Sequence, residues 1–159
     1  MPDDGFRVPK NPARILLDVP PDPPVERIVY VSDLAERHRG RETVSDVLEA
    51  TGRFVPVVSE GGEFALISKQ GIRWAKILEP ERAEWLFLEE KDESPRIEIW
   101  CEFHGGGRLE GTIYAMTPEG KQRAQDVVNR EMSFLHLDAK DGLYLVNLAS
   151  VKTIGLLEG

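Results

Sequence analysis

Three arginines stand close together in the first half of the chain and could recognise an anion. Arg37, Arg39 and Arg41 fall within five consecutive residues. Guanidinium groups donate paired hydrogen bonds to phosphate or carboxylate oxygens, so this cluster suits a nucleotide-like ligand. Glu36 and Glu42 flank the cluster, and a run of mixed charges is typical of a solvated loop. A solvated loop is therefore the favoured interpretation, and an anion-binding loop is the alternative.

Two aspartates recur at corresponding places and could form a pair of carboxylates for acid–base chemistry or metal binding. Asp46 and Asp126 each stand where a short helical pattern begins. An aspartate at a helix start commonly accepts hydrogen bonds from free backbone amides and complements the helix dipole. Because no second acid or histidine recurs beside them, the sequence predicts that both are structural helix caps.

The other reactive residue types form no known catalytic or metal-binding pattern. His38, His104 and His136 lack the spacings of zinc sites. Cys101 is the only cysteine, and it alternates with apolar residues as a buried, inert thiol does. The chain contains neither a nucleophile elbow nor a phosphate-binding loop. The sequence therefore predicts no enzymatic activity, no catalytic residue, no metal site and no cofactor.

Aromatic residues near the end of the first half suggest a surface for another protein. Trp74, Trp85 and Phe87 are of the types that concentrate at protein interfaces. The apolar run that contains Trp85 and Phe87 has no counterpart in the second half of the chain. These three residues are candidates for a partner surface, and packing in the core or between the halves is the ordinary alternative.

Composition and charge argue against several classes of function. The net charge is −8, from 28 acidic and 20 basic residues, whereas nucleic-acid binders normally carry a basic surface. The apolar runs are much shorter than the roughly 18 residues of a membrane helix. The first residues are acidic, unlike a secretory signal. We therefore expect a cytoplasmic protein, with neither nucleic acid nor membrane as its partner.

The chain also matches itself when its second half is laid over its first. The segment that starts at Asp46 aligns with the segment that starts at Asp126, 80 residues later, and after the turn the offset becomes 79. Upstream the offset is 84, where Val29-Tyr30 meets Ile113-Tyr114. The matches keep their order, and the additional residues of the first half fall in a loop. This pattern predicts two tandem copies of one small unit.

The elements of each predicted copy follow from alternation and turn signals. Period-two alternation, as in Ile97, Ile99 and Cys101, predicts strands, and Gly61-Gly62 and Asp141-Gly142 predict tight hairpins. The predicted fold class is mainly β, with two tandem copies of a five-stranded bent-sheet or barrel-like domain. Each copy has one short helix, and pseudo-symmetry relates the two.

The predicted organisation has four parts. Residues 1–12 form a flexible leader, 13–88 the first domain, 89–95 a charged linker and 96–159 the second domain.

Part of this pattern resembles known families. The motif R-x-x-D-V-V-N, followed by F-L and by D-G-x-Y-L-V-N, spans residues 123–147 and recurs more loosely in the first half. It resembles a small bacterial domain family of unknown function, which implies a structural unit without assigned chemistry. The predicted strand order is also similar to that of Sm-type barrels, which implies fold only because the RNA-binding loop motifs of that family are missing.

The arginine cluster has a resemblance of its own. Its spacing resembles the arginine motif of PilZ domains, which are β-barrels that bind a cyclic dinucleotide. Ser59 and Gly62 fit the second part of that motif, but Val57 stands where the family has an acid or an amide.

Together these observations predict a non-enzymatic cytoplasmic adaptor or regulatory module that acts through protein–protein contacts. Its partner is another protein, and a second copy of the chain is one candidate. The first alternative is a sensor of an anionic, nucleotide-like molecule held by Arg37, Arg39 and Arg41, and the second is a small RNA-binding barrel.

Overall fold

The part of the chain that the computed structural model describes is mainly β. It covers residues 10–32, 42–79, 95–115, 123–130 and 132–157. These residues form ten strands and two short α-helices. The first half contains β1 (Lys10–Asp18), β2 (Val25–Ser32), α1 (Val44–Glu49), β3 (Phe54–Val58), β4 (Phe64–Ser68) and β5 (Trp74–Ile77). The second half contains β6 (Arg96–Phe103), β7 (Arg108–Tyr114), α2 (Ala124–Val128), β8 (Phe134–Ala139), β9 (Gly142–Asn147) and β10 (Val151–Leu156).

The ten strands belong to one antiparallel sheet in the order β10-β6-β7-β8-β9-β5-β1-β2-β3-β4. The prediction of a mainly β fold is confirmed, but the sheet does not close into a barrel. Closing the first half would require β5 to pair with β4. Instead β5 pairs with β1 on one side and with β9 of the second half on the other. Because the second half takes this place, β4 and β10 remain the two edges of the sheet.

The two halves have the same order of elements and the same strand register. In each half the first strand pairs with the second and the fifth, and the third strand pairs with the second and the fourth. We call residues at the sequence offsets of 84, 80 and 79 counterparts. Ala13 lies opposite Val29 as Ile97 lies opposite Ile113, and Val55 lies opposite Ile67 as Leu135 lies opposite Val146. The descent of both halves from one duplicated segment stays a prediction.

The first strand begins earlier than the predicted domain boundary. β1 starts at Lys10, so residues 10–12 pair with β2 and do not belong to a leader. Pro12 lies opposite Tyr30, beyond the residues of β1 that pair with β5. A strand tolerates proline where it has a neighbour on one side only, which explains why the strand extends through Pro12. Of the predicted linker, the described residues include Pro95, whose carbonyl accepts a 2.9 Å hydrogen bond from the Ala115 amide.

The apolar core consists of two clusters that meet at the junction of the halves. The first cluster is built from β1, β2, α1, β3 and β5, and it also contains Phe134, Leu143 and Leu145 from the second half. The second cluster lies within the second half, and Trp74 from the first half packs against it. Complete burial of a leucine or phenylalanine side chain stabilises a fold by roughly 1.5–3 kcal/mol. Phe134, Leu143 and Leu145 therefore make the junction a substantial part of the core.

Membrane insertion through a helix finds no support in the described ranges. Neither α1 nor α2 is long and apolar enough to cross a bilayer.

Candidate functional site

The junction between the halves is a strand pair whose one face is fully apolar. β5 and β9 run antiparallel, with Ala75 opposite Leu145 and Ile77 opposite Leu143. All four side chains are buried in the first cluster. At the junction, β9 therefore pairs with the backbone of β5 and also adds Leu143 and Leu145 to the core of the first half.

The other face of the same strand pair is aromatic and polar. The rings of Trp74 and Tyr144 meet edge to face, with centroids 5.1 Å apart. The Tyr144 hydroxyl donates to Asp141 Oδ2 at 2.9 Å, and Lys76 Nζ lies 3.3 Å from the same oxygen. Burial, followed by the hydrogen bond to Asp141, raises the pKa of Tyr144 to about 12. Trp74, a predicted partner-surface residue, thus packs half-buried between the halves.

A buried carboxylate also links the halves through an arginine. Asp18 is 1% exposed, and its Oδ2 accepts a hydrogen bond from Arg73 Nε. Arg73 also donates to the Gly106 carbonyl at 2.7 Å and stacks over the Phe103 ring. Asp18 Oδ1 has no hydrogen-bond partner in the described part of the chain. Arg73 therefore connects the end of β1 to the turn after β6.

Glu49 provides a second polar link across the junction. It ends α1 in the first half, and its Oε1 accepts hydrogen bonds from the amides of Ser133 at 2.9 Å and Phe134 at 2.6 Å. These contacts fix the start of β8 against α1 and hold the Phe134 ring in the first cluster.

The edge of the sheet at β4 exposes the counterparts of the junction residues. Phe54, Phe64 and Leu66, which we call the β4 patch, are 53%, 66% and 56% exposed. Their counterparts Phe134, Leu143 and Leu145 are at most 3% exposed. The β4 patch therefore has apolar side chains at the positions where the second half buries its own, but nothing covers it in the described part of the chain.

The opposite edge, at β10, is exposed in the complementary way. Leu156 is 62% exposed, whereas its counterpart Ile77 is buried. Val151 and Ile154 are half-buried, whereas their counterparts Ile72 and Ala75 are fully buried. We call Val151, Ile154 and Leu156 the β10 patch. The two patches hold four of the six large hydrophobic side chains that are exposed among the described residues.

Several predicted site residues lie outside the described residues. These are Arg37, Arg39 and Arg41 of the arginine cluster, and Trp85 and Phe87 of the aromatic run. The anion-binding interpretation of the cluster stays a prediction.

The second part of the PilZ-like motif has a structural role in the turn between β3 and β4. Ser59 Oγ accepts a 3.1 Å hydrogen bond from the Glu63 amide, and Gly62 takes a positive φ of 87°. Val57 is buried in the first cluster.

The two aspartates cap their helices from within the first turn. The Asp46 carboxylate accepts from the Thr43 amide at 2.8 Å, and Thr43 Oγ1 accepts from the Asp46 amide at 3.1 Å. The Asp126 carboxylate accepts from the Arg123 amide at 3.1 Å. Thr43 and Arg123 are the N-cap residues, so the aspartates complete the caps from three positions later.

The remaining candidates for chemistry are Cys101, His104 and His136. Cys101 is buried, and desolvation raises the pKa of its thiol to about 11, which makes it a poor nucleophile. His104 is exposed beyond the end of β6, and His136 is half-buried in β8. No group of three or more His, Cys, Asp or Glu side chains suited to a metal ion occurs in the described ranges.

The sequence contained a signal for the two patches that composition alone did not show. The self-match pairs Leu66 with Leu145 and Leu156 with Ile77, and all four are apolar. Which member of each pair is buried depends on the strand that lies beside it, and the order of strands in the sheet decides that.

Comparison with protein-family models, with curated proteins and with solved structures found no match.

Proposed function

We propose that this protein is a non-enzymatic interaction module that binds a polypeptide strand at the edge formed by β4. The observation that carries the proposal is the exposure of the β4 patch, in which Phe64 and Leu66 lie on the edge strand β4 and Phe54 begins the neighbouring strand β3. A regulatory or adaptor role in the cytoplasm follows from such binding and from the acidic composition of the chain.

The chemistry of β4 favours an extended strand as the ligand. Edge strands are usually protected by lysine, proline or a bulge, because their free backbone groups pair readily with another chain. β4 has the sequence Phe-Ala-Leu-Ile-Ser, with neither charge nor proline. Added strands gain affinity from backbone hydrogen bonds and specificity from alternate side chains, and the β4 patch provides apolar sites for those side chains.

Site-specific photo-crosslinking in living cells tests this proposal. A photoreactive phenylalanine analogue replaces Phe64, and a matched control places it at Tyr30, an exposed aromatic residue on the inner strand β2. We expect discrete adducts with a second polypeptide from position 64 and none from position 30.

The mass of each adduct and the peptide attached to it decide the outcome. An adduct that maps to an extended apolar segment of another polypeptide chain supports the proposal. The absence of a discrete adduct at position 64, equal adducts at both positions, or a crosslink within the same chain would contradict it.

A further inference from the structure

We propose that the strand bound by β4 is β10 of a second copy of this chain, so that copies assemble head to tail. This inference rests on the proposed function, because it names the partner of the same edge. The junction inside the chain provides the evidence, since it is a pairing of the counterparts of these two strands.

The register of the contact follows from the internal junction. β5 is the counterpart of β10, and β9 is the counterpart of β4. Transferring the pairs of β5 and β9 by the same offsets places Ile154 opposite Leu66 and Leu156 opposite Phe64. Every apolar pair on the buried face of the internal junction thus becomes an apolar pair between copies.

The two patches are complementary in burial as well as in type. In the internal junction Phe134, Leu143 and Leu145 complete the core of the first half. The second half lacks such cover in the described residues. As a result, Ile154 and Val151 are only partly buried at the border of its cluster. The β4 patch of a second copy would supply Phe54, Phe64 and Leu66 at that border, as their counterparts do inside the chain.

On the other face of the proposed contact, two small residues would lie opposite each other. Gly155 would lie opposite Ala65, where the internal junction has Lys76 opposite Tyr144. A side chain at Gly155 would collide with the ring of Trp100, so this ring already fills the space above the glycine. Two small residues at this point let the strands approach without displacing Trp100.

Charge also matches at the end of the contact. Lys152 pairs with Glu102 at 3.5 Å, as its counterpart Arg73 pairs with Asp18. Arg73 reaches the Gly106 carbonyl, and the counterpart of Gly106 in the first half is the exposed Asp22. Lys152 of one copy would therefore face the carboxylate of Asp22 in the next copy.

The symmetry of the contact predicts the type of assembly. β4 and β10 are different surfaces, so each copy offers one of each, and the contact is heterologous. Such contacts produce open filaments or closed rings, and the smallest closed ring is a dimer in which β4 of each copy pairs with β10 of the other. Asn129 is the counterpart of Glu49, so the contact between copies lacks the carboxylate that accepts two hydrogen bonds across the internal junction. We therefore expect a weaker contact than the internal junction, and assembly that depends on concentration.

Complementation between two variants tests the inference by sedimentation velocity. Leu66→Asp places a charge in the β4 patch, and Leu156→Asp places one in the β10 patch. Wild type should form dimers or larger species as its concentration rises, and each variant alone should remain a monomer. An equimolar mixture should form a one-to-one dimer and no larger species, because one intact edge of each kind remains. Tyr30→Asp, at an exposed site on an inner strand, is the control and should assemble as wild type does.

Several results would overturn the inference. Monomeric wild type at every concentration would do so, as would dimers of Leu156→Asp alone or the failure of the mixture to combine. Circular dichroism confirms that each variant is folded, and Phe64→Asp replaces Leu66→Asp if that variant is not. Should the Phe64 photo-adduct contain a different protein while wild type stays monomeric, this inference fails and the proposed function stands. Without any adduct at position 64, the proposed function itself fails.

Discussion

At the scale of single residues, Arg73 makes contacts in both halves of the chain. It compensates the charge of Asp18, which lies at the end of β1 with one oxygen unpartnered among the described residues. Its guanidinium also reaches the turn after β6, so the same side chain couples charge compensation to the joining of the halves. A buried carboxylate that loses its partner is far more costly than a pair that is removed completely.

We therefore predict that Arg73→Met lowers the free energy of unfolding by about 3 kcal/mol, because Asp18 is left buried and unpaired. The double variant Asp18→Leu/Arg73→Met should recover most of that loss, since neither charge then remains. Urea denaturation of the two variants and of wild type measures both effects. A double variant that is less stable than Arg73→Met would show that the pair is not the source of the cost.

Tyr144 gives a prediction for alkaline pH. Its pKa is raised from the ordinary tyrosine value of 10.0 to about 12 in the folded protein. Between these values the unfolded chain loses the phenolic proton while the folded protein keeps it, so this residue's contribution to stability is complete below pH 10 and is lost as pH rises toward 12. The wild-type free energy of unfolding should fall more steeply from pH 10 to 12 than that of Tyr144→Phe.

Denaturation curves at several alkaline pH values measure this difference. The titration of Cys101 is common to both proteins and cancels in the comparison. Parallel pH profiles for wild type and Tyr144→Phe would contradict the proposed environment of the hydroxyl.

At the scale of elements, alternation and turn signals predicted the strands and hairpins well, because both depend on near neighbours. The alternation in β6 is a local pattern and leads to the observed strand, and the hairpin predicted at Asp141-Gly142 turns one residue earlier, at Lys140 and Asp141, with Gly142 paired to Ala139. β1 extends further than predicted, because proline at position 12 argued against a strand there. A strand forms at Pro12 because β5 does not extend far enough to pair with this residue. Whether a half closes or accepts another strand is a long-range choice, and no local pattern determines it.

Two counterpart leucines make this difference measurable. Leu145 is buried in the first cluster and Leu66 is exposed, although each lies at the same place in its hairpin. Leu145→Ala should lower the free energy of unfolding by about 2–5 kcal/mol, the usual cost of a cavity. Leu66→Ala should change it by less than about 0.5 kcal/mol in dilute solution, where copies are separate. Equal losses for both variants would contradict the assignment of β4 as an exposed edge.

At the scale of the whole molecule, the sheet consists of two similar halves that are joined by the pairing of β5 with β9. The edge strands of the described sheet are β4 and β10. The sequence indicated both halves through its self-match, and the interaction role stays a proposal. The self-match showed that the positions of the β4 patch are apolar in both halves, but it did not show that Phe54, Phe64 and Leu66 are the exposed members, because the strand order decides which copy is covered. Trp74 was singled out for its residue type, and it packs against Tyr144 within the chain.

The most direct test of strand addition between β4 and β10 is a disulfide between copies. Leu66→Cys and Ile154→Cys are prepared as separate proteins that also carry Cys101→Ala, because Cys101 lies directly opposite position 154 within the chain and would form a disulfide with it. In the proposed register these two positions lie directly opposite each other, within the Cα separation of roughly 4.4–6.8 Å that a disulfide spans. Mild oxidation of the mixture should yield one crosslinked dimer that contains both proteins, with little product from either protein alone. A mixture that gives no mixed dimer, or Leu66→Cys that crosslinks efficiently to itself, would contradict the head-to-tail assembly.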